Sequence, residues 1–527
     1  MSEKTKGKLS VIGLSLMIFT SVYGFNNIPR AFYMMGYAAI PWYVVGGLLF
    51  FLPFALMVTE IGSAFKTEKG GIYSWMEKSV GPKFAFVGTF MWYAAYVIWM
   101  FATSSGLMVP INALTFGGIA IPKPWIMSII GLIWLIIVTL VVLRGVDTVK
   151  KITSIGGIAV LSLNAFLLIG ALIVLILNGH PATPITLSAF THSPNPSFDN
   201  SSIIGFVAFM VFAVFAYGGV EAVGGLVDQT YKPKKNFPRG VIISAVTIAI
   251  GYSLLIFMTG FFLDYRTGGA FFNGVKDQTI NLGTAGYITI EYLGQAIGQA
   301  LHMSHSNVVL MGSIFKAFMG LAMLLTLMGA FFTLMYSPLK QIINGTPAKL
   351  WPGKLGQIDE KTGMPRVAMF VQLAIAAVFI IVNMLVSFAN AGAQASFFAV
   401  ITNMMNVAMP LPYLFIAFAY IKFKWNKSIE KPFEVFKSNV FGTVAAVASF
   451  IVVGFAIGFT VVQPIIQPSA ASDLGGIGDA ITMIGGPVIF GIVAYWMMSR
   501  YAKNNPEEYS HLRDIQPVTE AFDEDEN

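Results

Sequence analysis

Thr20-Ser21-Val22-Tyr23-Gly24-Phe25-Asn26-Asn27-Ile28-Pro29 and Phe215-Ala216-Tyr217-Gly218-Gly219-Val220-Glu221 interrupt two long apolar runs of a 527-residue chain. Glycine and proline weaken a helix interior by about 1 and 3 kcal/mol respectively. The first stretch adds two amides in mid-run and the second a carboxylic acid. Backbone groups freed inside a bilayer must line a cavity or find partners within the protein, because lipid offers none. Two such breaks in one chain therefore point to a built polar site.

The rest of the chain supplies the bilayer. Its residues are 56% hydrophobic and 11% charged, with a mean hydropathy of +0.73, whereas a soluble domain carries about 25% charged residues. That excludes a soluble globular chain and a disordered one, and neither a three-residue glycine period nor a charged heptad is present. Twelve apolar runs are long enough to cross a hydrocarbon core as helices, which takes about 20 residues. They cover residues 9–37, 40–65, 84–114, 125–143, 152–177 and 202–226, then 241–263, 308–336, 367–388, 396–423, 440–462 and 480–498. A β-barrel would show short alternating segments instead. The first run is too long for a signal peptide and lacks a small-residue cleavage site before Asn26, so it is expected to remain in the protein.

The net charge of +7 is informative through its placement. With the N-terminus in the cytoplasm, 27 of the 32 Lys and Arg residues fall in cytoplasmic segments. Arg30, Lys123, Arg266 and Lys276 fall outside, and Lys316 lies within a run. This is the bias that orients membrane proteins, so both termini are expected in the cytoplasm. The basic charge is thereby assigned to topology, and no nucleic-acid partner is expected. Cysteine is absent, which removes disulfides, thiol nucleophiles and cysteine metal sites.

The two breaks lie five runs apart. Because five is odd, five-helix repeats would run in opposite directions, with runs 1–5 matching runs 6–10. Discontinuous helices at corresponding positions of two inverted halves are the sequence mark of a secondary transporter's central site. The competing reading is that glycine merely allows close helix packing; two breaks at corresponding positions favour the transporter.

Further motifs carry a family resemblance. Glu60-Ile61-Gly62-Ser63-Ala64-Phe65, followed by Gly70-Gly71-Ile72-Tyr73-Ser74-Trp75 and Gly81, resembles the second-to-third-helix signature of the amino acid–polyamine–organocation superfamily. Phe215 to Glu221, with Lys232-Pro233-Lys234-Lys235-Asn236-Phe237-Pro238-Arg239 after it, resembles that superfamily's sixth-helix signature. The first-helix form Tyr23 to Arg30, with Tyr37-Ala38-Ala39-Ile40-Pro41-Trp42-Tyr43, is similar to the glutamate/γ-aminobutyrate antiporter family and its uncharacterised inner-membrane permease relatives.

The resemblance implies an all-α membrane protein of twelve helices with a leucine-transporter-like fold. Residues 1–8 would be a cytoplasmic N-terminus, 9–177 the first inverted repeat and 202–423 the second. Residues 440–498 would add two helices, and 501–527 an acidic cytoplasmic tail. It implies transport of amino acids or related amines by alternating access, by exchange or with protons, without ATP, in the bacterial inner membrane. Substrate would contact Ser21, Tyr23, Gly24, Phe25 and Asn26 on the first break and Ala216, Tyr217, Gly218 and Gly219 on the sixth helix. One departure is plain: the fifth run reads Thr153-Ser154-Ile155-Gly156-Gly157-Ile158-Ala159, with no lysine where some members carry one, so proton coupling through that position is not inherited.

Single residues sharpen the expectation. Glu221 sits beside a break, where ionising a carboxylate is costly, and is a candidate proton site or gate, against a paired structural acid. Lys316 either faces the cavity, where it would select an acidic substrate, or snorkels to the outer interface. Glu60 near a cytoplasmic helix end reads as structural, and Arg30 as an interfacial charge or outer gate. His302 and His305 lack the further ligands a metal site needs. The chain has no Gly-x-x-x-x-Gly-Lys-Ser/Thr loop for ATP and no hydrolase motif, so neither a cofactor nor enzymatic chemistry is expected. The run Phe522-Asp523-Glu524-Asp525-Glu526-Asn527 reads as a solvated tail, with a plug over the cytoplasmic entrance as the alternative. A passive channel lacks a filter loop here, and an amino-acid sensor would bind without flux. Oligomeric state is not legible.

Overall fold

The computed structural model describes residues 8–66, 68, 70–104, 106–115, 123–389, 391–467 and 475–513. The acidic run 522–527 and the first basic residues, Lys4 and Lys6, lie outside them. Among the described residues, every long element is helical, and eleven apolar helical segments are long enough to cross a membrane. Twelve runs become eleven because the first two are joined in one segment, Val11–Ala64, of 54 residues. At 1.5 Å per residue that is about 80 Å, far beyond a hydrocarbon core of about 30 Å.

Local chemistry shapes that segment. Helix α1 (Val11–Val22) begins where Ser10 Oγ accepts from Gly13 N at 3.1 Å, a side-chain N-cap. After the break, α2 (Asn27–Met35) tolerates Pro29 in its first turn, where the missing N–H has no helical partner to lose. The chain then turns at Gly36, whose φ of +55° suits glycine, and a Cβ there would press on the Pro194 ring. It continues as α3 (Ala39–Gly46), a π turn at Gly47–Phe51, and α4 (Leu52–Ala64). The π turn accommodates Pro53: Leu52 N donates to Gly47 O, five residues back, just before the ring that could not have joined an α ladder.

The next helices are α5 (Ile72–Ser79), α6 (Pro82–Ser104), α7 (Met108–Leu114), α8 (Pro124–Val142) and α9 (Val146–Asn178). Glu77 of α5 is buried and accepts from Tyr73 Oη at 3.0 Å. Burial pushes its carboxyl up to about 7. Helix α10 (Ile203–Phe215) leads through the second break into a 3-10 segment, Val220–Leu226, and on to α11 (Pro233–Phe262). Two further helices, α12 (Ala270–Lys276) and α13 (Ala285–Ala300), fill the connection between the seventh and eighth apolar runs.

The chain closes with α14 (His305–Gly345), α15 (Arg366–Ala389), α16 (Ala391–Ala408), α17 (Leu411–Trp425), α18 (Asn439–Ile466), α19 (Gly475–Asn504) and α20 (Pro506–Arg513). The broken elements sit at the centre of this bundle: α1 packs on α9, α11 and α14, and the 3-10 segment packs on α1, α4 and α14. The outer faces of α8, α9, α15, α18 and α19 leave large apolar side chains exposed, among them Ile133, Ile176, Phe388, Phe441 and Ile492. On a bilayer-spanning protein that surface belongs to lipid.

The end of α4 is fixed by charge. Glu60 and Lys424 are both fully buried and paired at 3.2 Å. Glu60 Oε2 also accepts from Tyr420 Oη, and its Oε1 accepts from Val435 N and Phe436 N, all at 2.6 Å. Lys424 Nζ further donates to Glu434 at 2.7 Å. The carboxylate therefore pins the α17–α18 connection onto α4, the structural role expected of Glu60.

Candidate functional site

Both breaks form where the sequence places them. Helix α1 stops at Val22 and α2 starts at Asn27, and among the described residues the Phe25 and Asn26 amides, which lie between them, have no hydrogen-bond acceptor. In the second break Gly219 takes φ +117°, a conformation only glycine adopts cheaply. The two breaks meet there: a Cβ on Gly219 would run into the Ser21 carbonyl. Tyr252 of α11 ties them together, its Oη accepting from Gly24 N at 3.1 Å and Asn27 Nδ2 at 3.3 Å and donating to Ala216 O at 3.0 Å.

A cavity of about 400 Å³ opens between the breaks and helices α6, α14, α16 and α17. Ser21, Gly24, Asn27, Ala216, Gly218 and Gly219 line it. Tyr23, Phe25, Asn26 and Tyr217 are not among its lining residues. Tyr23 packs edge-on against Tyr252 at 4.7 Å, and Tyr217 stacks on Phe51 at 4.7 Å and donates to Tyr43 O at 3.0 Å. Phe25 is fully buried, and the Asn26 side chain lies against Gly286 of α13.

Glu221 is 1% exposed and lies behind the lining. Its Oε1 accepts from Trp92 Nε1 at 3.1 Å and Tyr96 Oη at 3.2 Å, and its Oε2 accepts from Gly219 N at 3.1 Å. Tyr413 Oη accepts from the same Gly219 N at 2.7 Å and also bonds Glu221. The carboxylate thus holds the unwound backbone of the second break and two tyrosines that face the cavity. Lys316 is placed elsewhere, paired with Glu291 of α13 at 2.9 Å, and does not line the cavity. Arg30 Nε donates to Leu282 O at 2.9 Å. Gly156, in the segment that lacks a lysine, meets Gly329 of α14 so closely that a Cβ would strike the backbone.

On the cytoplasmic side of the breaks, α1, the 3-10 segment and α14 are laced together. Leu9 N donates to Gln229 O at 2.7 Å and Tyr231 N to Leu9 O at 2.8 Å. Gln229 Nε2 donates to Tyr336 Oη at 2.9 Å, and Ser337 Oγ to Ala222 O at 2.5 Å. Lys340, 3% exposed, pairs with Asp228 at 2.8 Å.

Sequence reasoning missed Trp92, Tyr96, Tyr252 and Tyr413, together with Met405 and Asn406 of α16 and Met409 in the turn after it. Aromatic residues make up 14% of the chain, so their positions in the runs carry no signal by themselves. Met409-Pro410-Leu411-Pro412 was the available clue, since it carries the chain from α16 into α17 directly beside the cavity.

A cavity framed by two back-to-back broken helices inside a bundle of membrane-length helices defines a multi-pass membrane protein with a central solute site. The family model of the amino acid permeases matches residues 9–485, and the chain belongs to that family, one of transporters and not of enzymes. It is similar to the inner membrane transporter YjeM of Salmonella typhimurium, 45% identical over 505 residues, which cover 94% of this chain and 96% of that protein. The aspartate/glutamate permease AcaP of Lactococcus lactis is 22% identical over 419 residues, 79% of each chain. A glutamate/γ-aminobutyrate antiporter of the same species is 28% identical over 207 residues, 38% of this chain and 39% of the antiporter. Among solved structures, a manganese transporter of Eremococcus coleocola superposes with a TM-score of 0.53 at 13% identity, covering 92% of this chain and 94% of that one. That likeness establishes a shared leucine-transporter-like fold.

Proposed function

We propose that the protein is a secondary active transporter that moves amino acids or related amines across the bacterial inner membrane by alternating access, as an exchanger or with proton coupling. In this reading Val11–Ala64 crosses twice, giving twelve spans, with helices 1–5 and 6–10 as inverted repeats and both termini cytoplasmic. The observation that carries it is the cavity at the meeting of the two breaks. Gly24 and Asn27 line the cavity at the N-terminal end of α2, where N–H groups freed by the break and the helix dipole favour a carboxylate. Unwound backbone from Ala216 to Gly219 forms the facing edge, where carbonyls suit an ammonium group.

The close match to an inner membrane transporter over nearly the whole chain supports the location and the class. Glu221 serves as the gate candidate: it braces Gly219, Tyr96 and Tyr413 together, so any movement of the second break against α6 and α17 must part these bonds. Lys316, paired with Glu291, acts on the outer helix α13 and not on substrate selection.

Counterflow in proteoliposomes tests the reading. Vesicles preloaded with unlabelled amino acids should accumulate labelled amino acid added outside, at two pH values. Uptake that requires internal substrate gives an exchanger, and uptake driven by a pH gradient alone gives proton symport. Flux that never saturates would replace the carrier with a channel, and binding without flux would replace it with a sensor.

A further inference from the structure

The cavity has two unlike walls. One is backbone: the breaks at Ser21–Gly24 and Ala216–Gly219, suited to the zwitterionic head that every amino acid shares. The other comes from α6, α14, α16 and the turn that follows α16, and presents Trp99, Ala330, Leu334, Met405 and Met409. Among the described lining residues there is no Asp, Glu, Lys, Arg or His. Nearby charges are engaged elsewhere. Glu221 is covered by Trp92, Tyr96 and Tyr413, Lys316 is held by Glu291, and Lys340 is paired with Asp228.

We propose, resting on the transporter reading above, that the cargo is an amino acid with an uncharged, apolar side chain, seated against Trp99, Ala330, Leu334, Met405 and Met409. A side-chain carboxylate or ammonium would have to shed its water against this wall with no opposite charge to receive it. An aliphatic, thioether or aromatic side chain gains by the same burial. The size agrees: about 400 Å³ lies at the small end of the roughly 300–1,000 Å³ typical of small-molecule sites, enough for a single amino acid. The two methionines are unbranched and polarizable, so the wall adapts to several apolar shapes.

Asn406 is a polar side chain on that wall, beside the Tyr96 and Tyr413 hydroxyls, which Glu221 engages. It lines the cavity, and among the described residues nothing hydrogen-bonds its amide. It is therefore the position at which a charge would rewrite the selectivity.

The test uses the purified full chain, both in proteoliposomes and in detergent. Uptake of labelled leucine by counterflow is competed with methionine, phenylalanine, glutamate, aspartate, γ-aminobutyrate, lysine and agmatine, and the same compounds are tried as thermal stabilisers. Methionine and phenylalanine should compete, while the charged compounds should be weaker by about 100-fold or more, the scale of an unpaired charge in a dry site. Asn406→Asp should shift the ratio of lysine to leucine uptake upward by about tenfold or more. Uptake of glutamate or agmatine with leucine inert would overturn the substrate class and leave the transporter standing. Stabilisation by leucine with no flux would uphold the class and overturn transport. An Asn406→Asp protein that folds, binds leucine and keeps an unchanged ratio would remove the proposed wall from contact with the cargo side chain.

Discussion

Replacing Gly219 by alanine isolates the contact between the two breaks. At φ +117° an L-residue is strained by about 1–2 kcal/mol. The new methyl group would also press into the Ser21 carbonyl, which is backbone and cannot swing aside. Overpacking of that kind costs about 1–3 kcal/mol. The two contributions act on one atom and give a loss of about 2–5 kcal/mol. With unfolding entropy near 2.1 cal/mol/K per residue, 527 residues convert this to a fall in melting temperature of roughly 2–5 °C. The matched control is Gly458→Ala in α18, where a Cβ meets nothing within 4 Å. There alanine is expected to be neutral or to stabilise by up to about 1 kcal/mol. The assay is thermal unfolding in detergent, followed by tryptophan fluorescence and by size-exclusion recovery, with counterflow on the same preparations. Gly219→Ala should melt lower and lose most of its uptake, while Gly458→Ala should do neither. Equal melting of Gly219→Ala and the unmodified protein would refute the close apposition of the breaks.

Further substitutions test other parts of the frame. Glu60→Gln places an amide donor against either two backbone N–H groups or a buried ammonium, so it should cost about 3–5 kcal/mol, whereas Glu434→Gln, at a third-exposed carboxylate, should cost about 1 kcal/mol or less; equal melting temperatures for the two would contradict the pinning role. Burial pushes the Glu77 carboxyl up to about 7 from its ordinary 4.5, so between those values the folded protein holds a proton that the unfolded chain releases. Stability should therefore fall by roughly 3 kcal/mol as pH rises from about 4.5 to 7 and level off above, with Tyr73, Lys78, Glu68 and Tyr501 as the facing groups; Glu77→Gln should flatten the melting profile, and an unchanged slope would assign it to another group. Asp228→Asn removes the carboxylate that pairs with Lys340 and loosens the cytoplasmic lacing, so a cysteine placed at Ser21 in this cysteine-free chain should react with impermeant maleimide from the cytoplasmic side about tenfold faster or more; unaltered labelling would mean that the pair does not seal that route.

The membrane class, the helix runs and both breaks were legible because lipid leaves strong marks in sequence: a bilayer demands about 20 apolar residues per crossing and punishes Gly, Pro and Glu in mid-run. The joining of the first two runs was not legible, since the turn at Gly36 lets helical structure continue from Asn27 to Ala64 with scarcely an interruption. At the site, Gly24, Gly218 and Gly219 are marked by their backbone effect and Ser21 and Ala216 by the family resemblance, and all five line the cavity. Tyr23, Phe25, Asn26 and Tyr217, implied by the same resemblance, are not among the lining residues, because a chain leaving a helix presents successive side chains in different directions. The α6, α16 and α17 walls were invisible because Trp99, Met405 and Tyr413 resemble any other apolar residue of a spanning helix. Lys316 stood out for its charge, yet its partner Glu291 lies on a helix that hydropathy alone does not reveal.

Glu221→Gln distinguishes a latch from a proton carrier. Each carboxylate oxygen receives one donor that cannot turn around, Trp92 Nε1–H on one side and Gly219 N–H on the other, together with a tyrosine hydroxyl that can. Glutamine offers a single oxygen, so whichever way its amide is set, its NH2 group faces one fixed N–H. The loss is that of a buried donor left without an acceptor, about 1–3 kcal/mol, or roughly 5- to 150-fold in an equilibrium or rate. If the carboxylate acts as a latch on Gly219, Tyr96 and Tyr413, this penalty applies at every pH, and the uptake curve moves down without changing shape. If it carries the proton, the variant loses the pH dependence itself and retains exchange of one amino acid for another. A variant with the rate and the pH profile of the unmodified protein would deny Glu221 both roles and leave it as packing behind the cavity wall.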